Sequence, residues 1–367
     1  MKIGIVITHP TQFDVPIFKL GRDIIEVIYT EESLVKNVFD PELGKVLTWG
    51  SNNLDGYDFQ IAPENAGFWW LFSKFRKSKY DLLITNGYYN RRFIFSIIAG
   101  KMLAGKNALR LDTVQFNNVS GVRFFYKKIL YLIMRQFIDV FFVVGSLSKK
   151  FLLDLGVNER RISYYGYIAD NDFFSVNSRR TDNEKLELKD SLGLVKNKKI
   201  ILCVSKHSQR EAPFDTIEAF HKMNDDGLHL VLVGDGPLHD EVKAKAQKFG
   251  IRNITFAGYI HFTKLPLYYS IADLFVHDSH NEPWGVSVQE AIACNLPVVA
   301  SDRVGASYDM IINGKNGFSY KAGEINQLAE RIKQALILDP IVLRKTNALI
   351  LEKWNYSKTL ENIIERV

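Results

Sequence analysis

The segment LFVHDSHNEPWGVSVQEAIACNLPVVAS, residues 274–301, decides the fold of its half of the chain. Its two apolar ends, 274–279 and 296–301, have the length and β-branched content of strands buried on both faces. Between them Pro283 biases Glu282 away from helical geometry, so this carboxylate belongs to a loop. A helix then starts near Val286 and carries Glu290. Strand, helix and strand in this order make a right-handed parallel unit.

The same alternation runs outward in both directions. KIILCVS (199–205), LHLVLVG (228–234) and ITFAG (254–258) read as buried strands upstream of that segment. Earlier still come KIGIVIT (2–8), DIIEVIYT (23–30), DLLIT (81–85), ALRLD (108–112) and DVFFVVG (139–145), again with helix-like stretches between several of them. The chain is therefore expected to be α/β, with two doubly wound domains of residues 1–170 and 171–350 and a helix-patterned segment at 351–367. The polar, aperiodic stretch IADNDFFSVNSRRTDN (168–183) reads as the linker. Open parallel sheets bind ligands beyond the carboxyl ends of their strands, so chemistry is sought there.

A chain of 367 residues with 47% hydrophobic and 24% charged residues has the composition of ordinary globular domains, which excludes disordered, collagen-like and coiled-coil classes. Cys203 and Cys294 are the only cysteines, too few for a disulfide framework or a four-cysteine zinc site, and they predict a reducing compartment. Met1 leads directly into a strand, and no apolar run approaches the roughly 18 residues of a spanning helix. A cytoplasmic protein without a secretion signal is expected.

The net charge of +6 resides in the first half, where residues 1–170 hold 22 Lys and Arg against 16 Asp and Glu. Residues 69–135 hold 13 basic residues against Asp81 and Asp112, interleaved with Trp69, Trp70, Phe72, Phe75, Phe124, Phe125, Tyr126 and Tyr131. Such a segment suits an anionic membrane surface or a phosphate-linked lipid or saccharide better than nucleic acid. RFFYKKILYLIMR (123–135) has the pattern of an interfacial helix, and equally that of a buried helix with snorkelling ends.

Several groups point to an anionic, hydroxyl-rich ligand. Lys206 and Arg210 lie in the loop before a helix, where cations suit a diphosphate. Glu290 is placed to accept from vicinal hydroxyls, and the amides at Gly285, Val286 and Ser287 face an anion at the helix start. VGDGP (233–237) is a strand-to-helix turn without the GxGxxG dinucleotide fingerprint. Asp170-Asn171-Asp172 spells a metal-binding triplet in a segment that reads as a turn, and His277 with His280 has no ligand set around it, so no metal and no cofactor are expected.

With these residues in place, EPWGVSVQEAIACNLPVVASDRVGASYDMIINGKNGF (282–318), VGDGP and FAGYIHFTKLPLYYSIADLFVHDS (256–279) resemble the family 4 nucleotide-sugar glycosyltransferases, which have the GT-B fold. In the first half only VVGSLSKKFLLDLGVNERRISYYGYIADNDFF (143–174) carries the likeness. The resemblance implies two Rossmann-like domains facing across a cleft, with the C-terminal helix packed back on the first. It also implies retaining transfer of a hexose from a UDP- or GDP-sugar to a glycolipid or saccharide acceptor in cell-surface polysaccharide assembly, at the inner face of the membrane. By that resemblance Glu282 contacts the donor sugar, Glu290 the ribose, Lys206 and Arg210 the diphosphate, Gly285 and Val286 the donor through their amides, and Gly258, Tyr259 and Ile260 the base; Gly234 belongs to the same nucleotide turn. The family's first-domain histidine is replaced by Asp112, beside Arg110, and its glycine-rich first loop by His9-Pro10-Thr11-Gln12. Thr11 and Gln12 are then candidate donor contacts, and His9, Asn86, Tyr88, Arg91 and Arg110 candidates on the acceptor side. A nucleotide-sugar epimerase or a non-catalytic nucleotide-sugar-binding subunit would share the fold.

Overall fold

The computed structural model describes residues 1–31, 38–40, 45–47, 54–116, 129, 131–211 and 213–367. They divide into two compact units, one comprising Met1–Asp40, Lys45–Ile168 and Tyr356–Val367 and the other containing Ala169–Asn355.

In the first unit, β1 (Ile3–Ile7), β2 (Ile25–Tyr29), β5 (Asp58–Ile61), β6 (Leu82–Asn86), β7 (Lys106–Leu111), β8 (Val140–Val143) and β9 (Ile162–Tyr164) form one parallel sheet, while β3 (Val38–Asp40) and β4 (Lys45–Leu47) make a separate antiparallel pair. The order is β5-β2-β1-β6-β7-β8-β9. Every residue of β1 and β2 is buried, which is why they read as apolar-rich runs rather than alternating ones, with Glu26 the charged exception. Ile3, Ile5, Val27, Tyr29, Ile84 and Phe142 share one core with Phe18 and with Ile363 of the helix Tyr356–Ile364. That helix is further tied by Asn362 Nδ2 donating to Tyr164 O at 3.3 Å and by Arg366 donating to Ile162 O at 3.0 Å.

The second unit repeats the plan with β10 (Lys199–Val204), β11 (Leu228–Val233), β12 (Ile254–Gly258), β13 (Leu274–His277), β14 (Val298–Ser301) and β15 (Gly317–Tyr320), ordered β12-β11-β10-β13-β14-β15. All pairings are parallel. In each unit the chain winds first to one side of its opening strand and then to the other. The switch point falls between β1 and β6 in the first sheet and between β10 and β13 in the second. Loops leaving the carboxyl ends of those strands diverge there and leave a crevice.

The structure corrects the expected linker. Residues 168–183 contain the helix Asn171–Asn177, and the helix Asp182–Ser191 begins at their end. Asp170 and Thr181 of this stretch are helix N-caps. Asp170 accepts from Phe173 N at 2.9 Å, and Thr181 forms a reciprocal capping box with Glu184. The triplet at 170–172 is thus a helix start. Pro237 precedes the helix His239–Lys248, and Leu238 N between them donates to His207 O at 2.9 Å.

Candidate functional site

The second unit's switch point gathers the segment after β10 and the segment after β13. Arg210 lies in the first of these, and its guanidinium is 2.8 Å from Glu211 Oε1 and 3.6 Å from Glu282 Oε2. Lys206, in the same loop, donates its backbone N–H to Glu211 Oε2 at 3.3 Å. Glu282 accepts from Trp284 N at 3.2 Å, and its backbone is stitched to the next loop by Glu282 N donating to Arg303 O at 2.8 Å and Gly305 N donating to Glu282 O at 2.9 Å. Gly305 fits against this loop only because it lacks a Cβ, which would lie 1.9 Å from Pro283 O. Burial, and then the neighbouring Glu211, push the Glu282 carboxyl up to about 7 against the pull of Arg210. Glu211 was not singled out in the sequence, since a carboxylate following an arginine reads as an exposed pair.

Gly285 starts the helix Val286–Ala293 with φ at 91°, a left-handed conformation that favours glycine. A Cβ there would approach Val304 Cγ1 to 2.7 Å. In its first turn Val288 N donates to Gly285 O at 3.1 Å, while Val286 and Ser287 stand at the helix start, where no preceding turn offers their amides an acceptor. On the same helix Glu290 is buried, and one of its oxygens accepts from Tyr269 Oη at 2.8 Å. Burial raises its carboxyl to about 7, with Tyr269 acting in the opposite sense. Gly258, at the end of β12, has φ at 69° and accepts from Gly234 N at 2.8 Å, while Tyr259 after it is exposed and Ile260 half-buried. Gly234 passes close to Ser205, where a Cβ would meet the carbonyl oxygen at 1.8 Å. Two histidines missed in the sequence stack beside this turn: His207 and His239, with ring centroids 5.0 Å apart and Nδ1 atoms 2.8 Å apart. Burial, and secondarily His239, lower His207 to about 4.

The first unit's switch point holds a cavity of about 440 Å³ whose lining includes Thr8, His9, Thr11, Asn86, Tyr88 and Asp112, together with Asp14, Tyr89, Arg110 and Tyr167. Six residues selected from the sequence, His9, Thr11, Asn86, Tyr88, Arg110 and Asp112, therefore meet in one place. Gln12 and Arg91 are not among its lining, and Arg91 is exposed in the first turn of the helix Arg91–Leu103. Thr11 donates to Asp14 Oδ2 at 2.8 Å, which makes it a support of this cavity. Arg110 differs most from expectation. It is 2% exposed, pairs with Asp14 at 2.6 Å and donates to the carbonyls of Tyr165 and Gly166, both at 3.0 Å. A guanidinium so fully engaged is a structural cation at the cavity wall. Asp112 remains exposed at the rim and accepts from Tyr167 Oη at 3.2 Å.

Among the described residues no group of three or more His, Cys, Asp or Glu side chains is placed to hold a metal ion, and no helix is long and apolar enough to cross a membrane. His280 pairs with Asp215 at 2.8 Å, and His277 is buried. In the basic first-unit segment Lys74 is bound to Glu26, so its charge is neutralised locally. Trp69 is 78% exposed, and two rows, Ile94, Ile98 and Met102 of the helix Arg91–Leu103 and then Ile129, Ile133 and Phe137, also face solvent. Asn107 links the two rows, donating to Ile97 O at 2.8 Å and to Phe137 O at 2.9 Å. Most of the 123–135 stretch, including Phe124, Phe125 and Tyr126, lies outside the described residues.

Comparison with known proteins agrees with this geometry. Residues 184–348 match the family described as glycosyl transferases group 1. Alpha-monoglucosyldiacylglycerol synthase of Streptococcus pneumoniae is 31% identical over 185 residues, 49% of this chain and 40% of that protein. The capsular polysaccharide biosynthesis glycosyltransferase CapM of Staphylococcus aureus is 25% identical over 234 residues, 62% of this chain and 59% of that one. The chain thus spans less than two thirds of the length of these curated relatives. The crystal structure of Anabaena Alr3699/HepE in complex with UDP superimposes with a TM-score of 0.79 at 17% identity, covering 100% of this chain and 99% of that chain. The likeness establishes two parallel-sheet, Rossmann-like units of GT-B type, and the segment that matches the glycosyl transferases group 1 family contains Glu282, Gly285 and Glu290.

Proposed function

We propose that the chain is a retaining glycosyltransferase that moves a hexose from a UDP- or GDP-sugar to a glycolipid or saccharide acceptor in cell-surface polysaccharide assembly. The observation that carries this reading is the approach of Arg210 to Glu282 at 3.6 Å on a switch-point crevice whose next helix begins at Gly285 and bears Glu290. Departure of a nucleoside diphosphate concentrates negative charge. Lys206, Arg210 and the first amides of the helix Val286–Ala293 are the groups that receive it. Glu282 contacts the donor sugar, Glu290 the ribose, and the turn at Gly234 with Gly258, Tyr259 and Ile260 the base. The acceptor is bound by the first unit, at the cavity that His9, Asn86, Tyr88 and Asp112 line. No protein nucleophile is required if a phosphate oxygen takes the acceptor proton.

The exposed apolar rows and the basic surplus of residues 69–135 support peripheral attachment to an anionic membrane on its cytoplasmic face. The name of the pneumococcal relative, a diacylglycerol glycolipid synthase, favours a lipid-linked acceptor.

Glu282→Gln tests the reading. It is expected to lower transfer by about 100-fold, the order of one lost preorganised group at a charged transition state, while leaving the unfolding midpoint near that of the parent. Unchanged transfer would mean that Glu282 is not part of the chemistry. An isomerised donor formed without acceptor would identify an epimerase instead. A thermal-shift panel of UDP, GDP, TDP and their sugars identifies the base, because a ligand bound only by the native state raises its stability.

A further inference from the structure

The donor crevice holds more acid than an anion site needs. Two cations, Lys206 and Arg210, are accompanied by two carboxyl groups, Glu211 and Glu282, and both acids are held by one guanidinium nitrogen at 2.8 Å and 3.6 Å. Both side chains are largely buried around that one nitrogen, and burial, with Glu211 next, raises the Glu282 carboxyl to about 7. Two buried carboxylates on a single guanidinium leave one negative charge uncompensated by it in low-dielectric surroundings, which favours one proton on the pair. Each acid is fixed from outside as well, Glu211 by Lys206 N at 3.3 Å and Glu282 by Trp284 N at 3.2 Å, so neither has slack to move away from the other.

We propose that Glu211 and Glu282 act as one acid pair clamped by Arg210, and that the pair takes up a proton when the diphosphate of a nucleotide sugar binds, which makes Glu211 a positioning residue of the donor site. The proposal rests on the donor reading given above. With both acids ionised the four charges cancel, and a diphosphate gains little by entering. With one proton on the pair the site is cationic and accepts the anion. Binding and proton uptake are then linked with a fixed sign: affinity is level at low pH and falls once the empty site loses its proton.

Two surrounding carboxyls, Asp278 and Glu290, are also raised to about 7, each chiefly by burial, and Glu211→Gln leaves both in place, so the variant separates their protons from that of the pair. From the strand and loop of β13, His277 is buried and lowered to about 4 by burial and secondarily by Arg210, so it is neutral across the range of interest. Asp278 is buried and donated to by Thr216 N at 2.8 Å, and His280 is committed to Asp215 at 2.8 Å. From the loop after β14, Arg303 lies 3.6 Å from Asp302.

The test is calorimetric titration of the full chain with UDP-glucose and with GDP-mannose, whose doubly esterified diphosphates do not themselves titrate here. Measurements run from about pH 6 to about pH 8.5, in two buffers of different ionisation enthalpy. The expected result is uptake of up to one proton on binding and a loss of affinity approaching tenfold per pH unit above about pH 7. Glu211→Gln should abolish the uptake, flatten the profile and bind about tenfold more tightly than the parent at the alkaline end. Binding without proton uptake overturns the proposal and leaves the donor reading standing, as does a Glu211→Gln profile that follows the parent's. Failure of the parent to bind either nucleotide sugar overturns both. The uptake is measured on the unaltered protein, so the first of these overturning results does not depend on the variant folding.

Discussion

The Arg110 guanidinium lies 2.6 Å from Asp14 Oδ1, and both side chains are withdrawn from solvent. The pair joins β7 to the segment following β1, and the guanidinium stacks on the rings of Tyr165 at 3.8 Å and Tyr167 at 4.5 Å. A buried pair of this kind is strongly destabilising to break, because the partner left behind keeps an uncompensated charge. Asp14→Asn is expected to cost about 3–5 kcal/mol in urea unfolding. The double change Asp14→Leu with Arg110→Met should cost less than the single one, since it removes both charges together.

Glu290 provides a pH signature. Its folded-state carboxyl stands near 7, above the ordinary value of 4.5, so the folded chain binds the extra proton. The contribution to stability is complete below pH 4.5 and is lost as pH rises through 7. Glu290→Gln should therefore gain on the parent by about 2–3 kcal/mol between pH 5 and pH 8. Paired thermal melts at the two pH values read this directly, and a constant difference between variant and parent would contradict it.

Gln289 is fully buried beside Glu290 and binds chain segments far apart in sequence. Its Oε1 accepts from Ala169 N at 3.2 Å, and its Nε2 donates to Asn171 Oδ1 at 2.7 Å and Trp354 O at 2.9 Å. Gln289→Ala leaves these groups without their partner, and is expected to cost about 2–4 kcal/mol. Chemical denaturation measures the loss, and hydrogen exchange at the Ala169 amide should quicken with it.

If the basic first-unit surface docks on lipid, then Trp69→Ser combined with Met102→Ser should reduce co-sedimentation with anionic vesicles by about tenfold or more, because each side chain loses roughly 1.5–3 kcal/mol of apolar transfer. Neutral vesicles should retain little protein, and raised salt should weaken retention on the anionic ones. Equal pelleting of parent and variant would remove this face from consideration.

All ten strands read from apolar runs are strands in the structure, from Ile3–Ile7 to Val298–Ser301, because strands covered on both faces are rich in apolar residues, with buried Glu26, Asn107 and Arg110 among the exceptions. Among the strands that the apolar runs did not show are Asp58–Ile61 and Gly317–Tyr320, each at the end of a sheet, and the short pair Val38–Asp40 and Lys45–Leu47. An edge strand is partly exposed and short, as the alternating exposure of Asp58–Ile61 shows, so its composition does not separate it from a loop. The caps at Asp170 and Thr181 failed as signals for a related reason, since the residues that cap helices are those that make turns.

The sequence by itself determined the strand-and-helix alternation in both halves and the loop that presents Glu282, because burial and proline geometry act on neighbouring residues. Only the tertiary structure decided which charges meet. Asp14 reaches Arg110 across 96 positions and Arg210 approaches Glu282 across 72, and such pairings follow from strand order rather than from any local pattern. The physical reason is that a charge's role depends on which opposite charge shares its low-dielectric surroundings, and the folded sheets alone establish that neighbour.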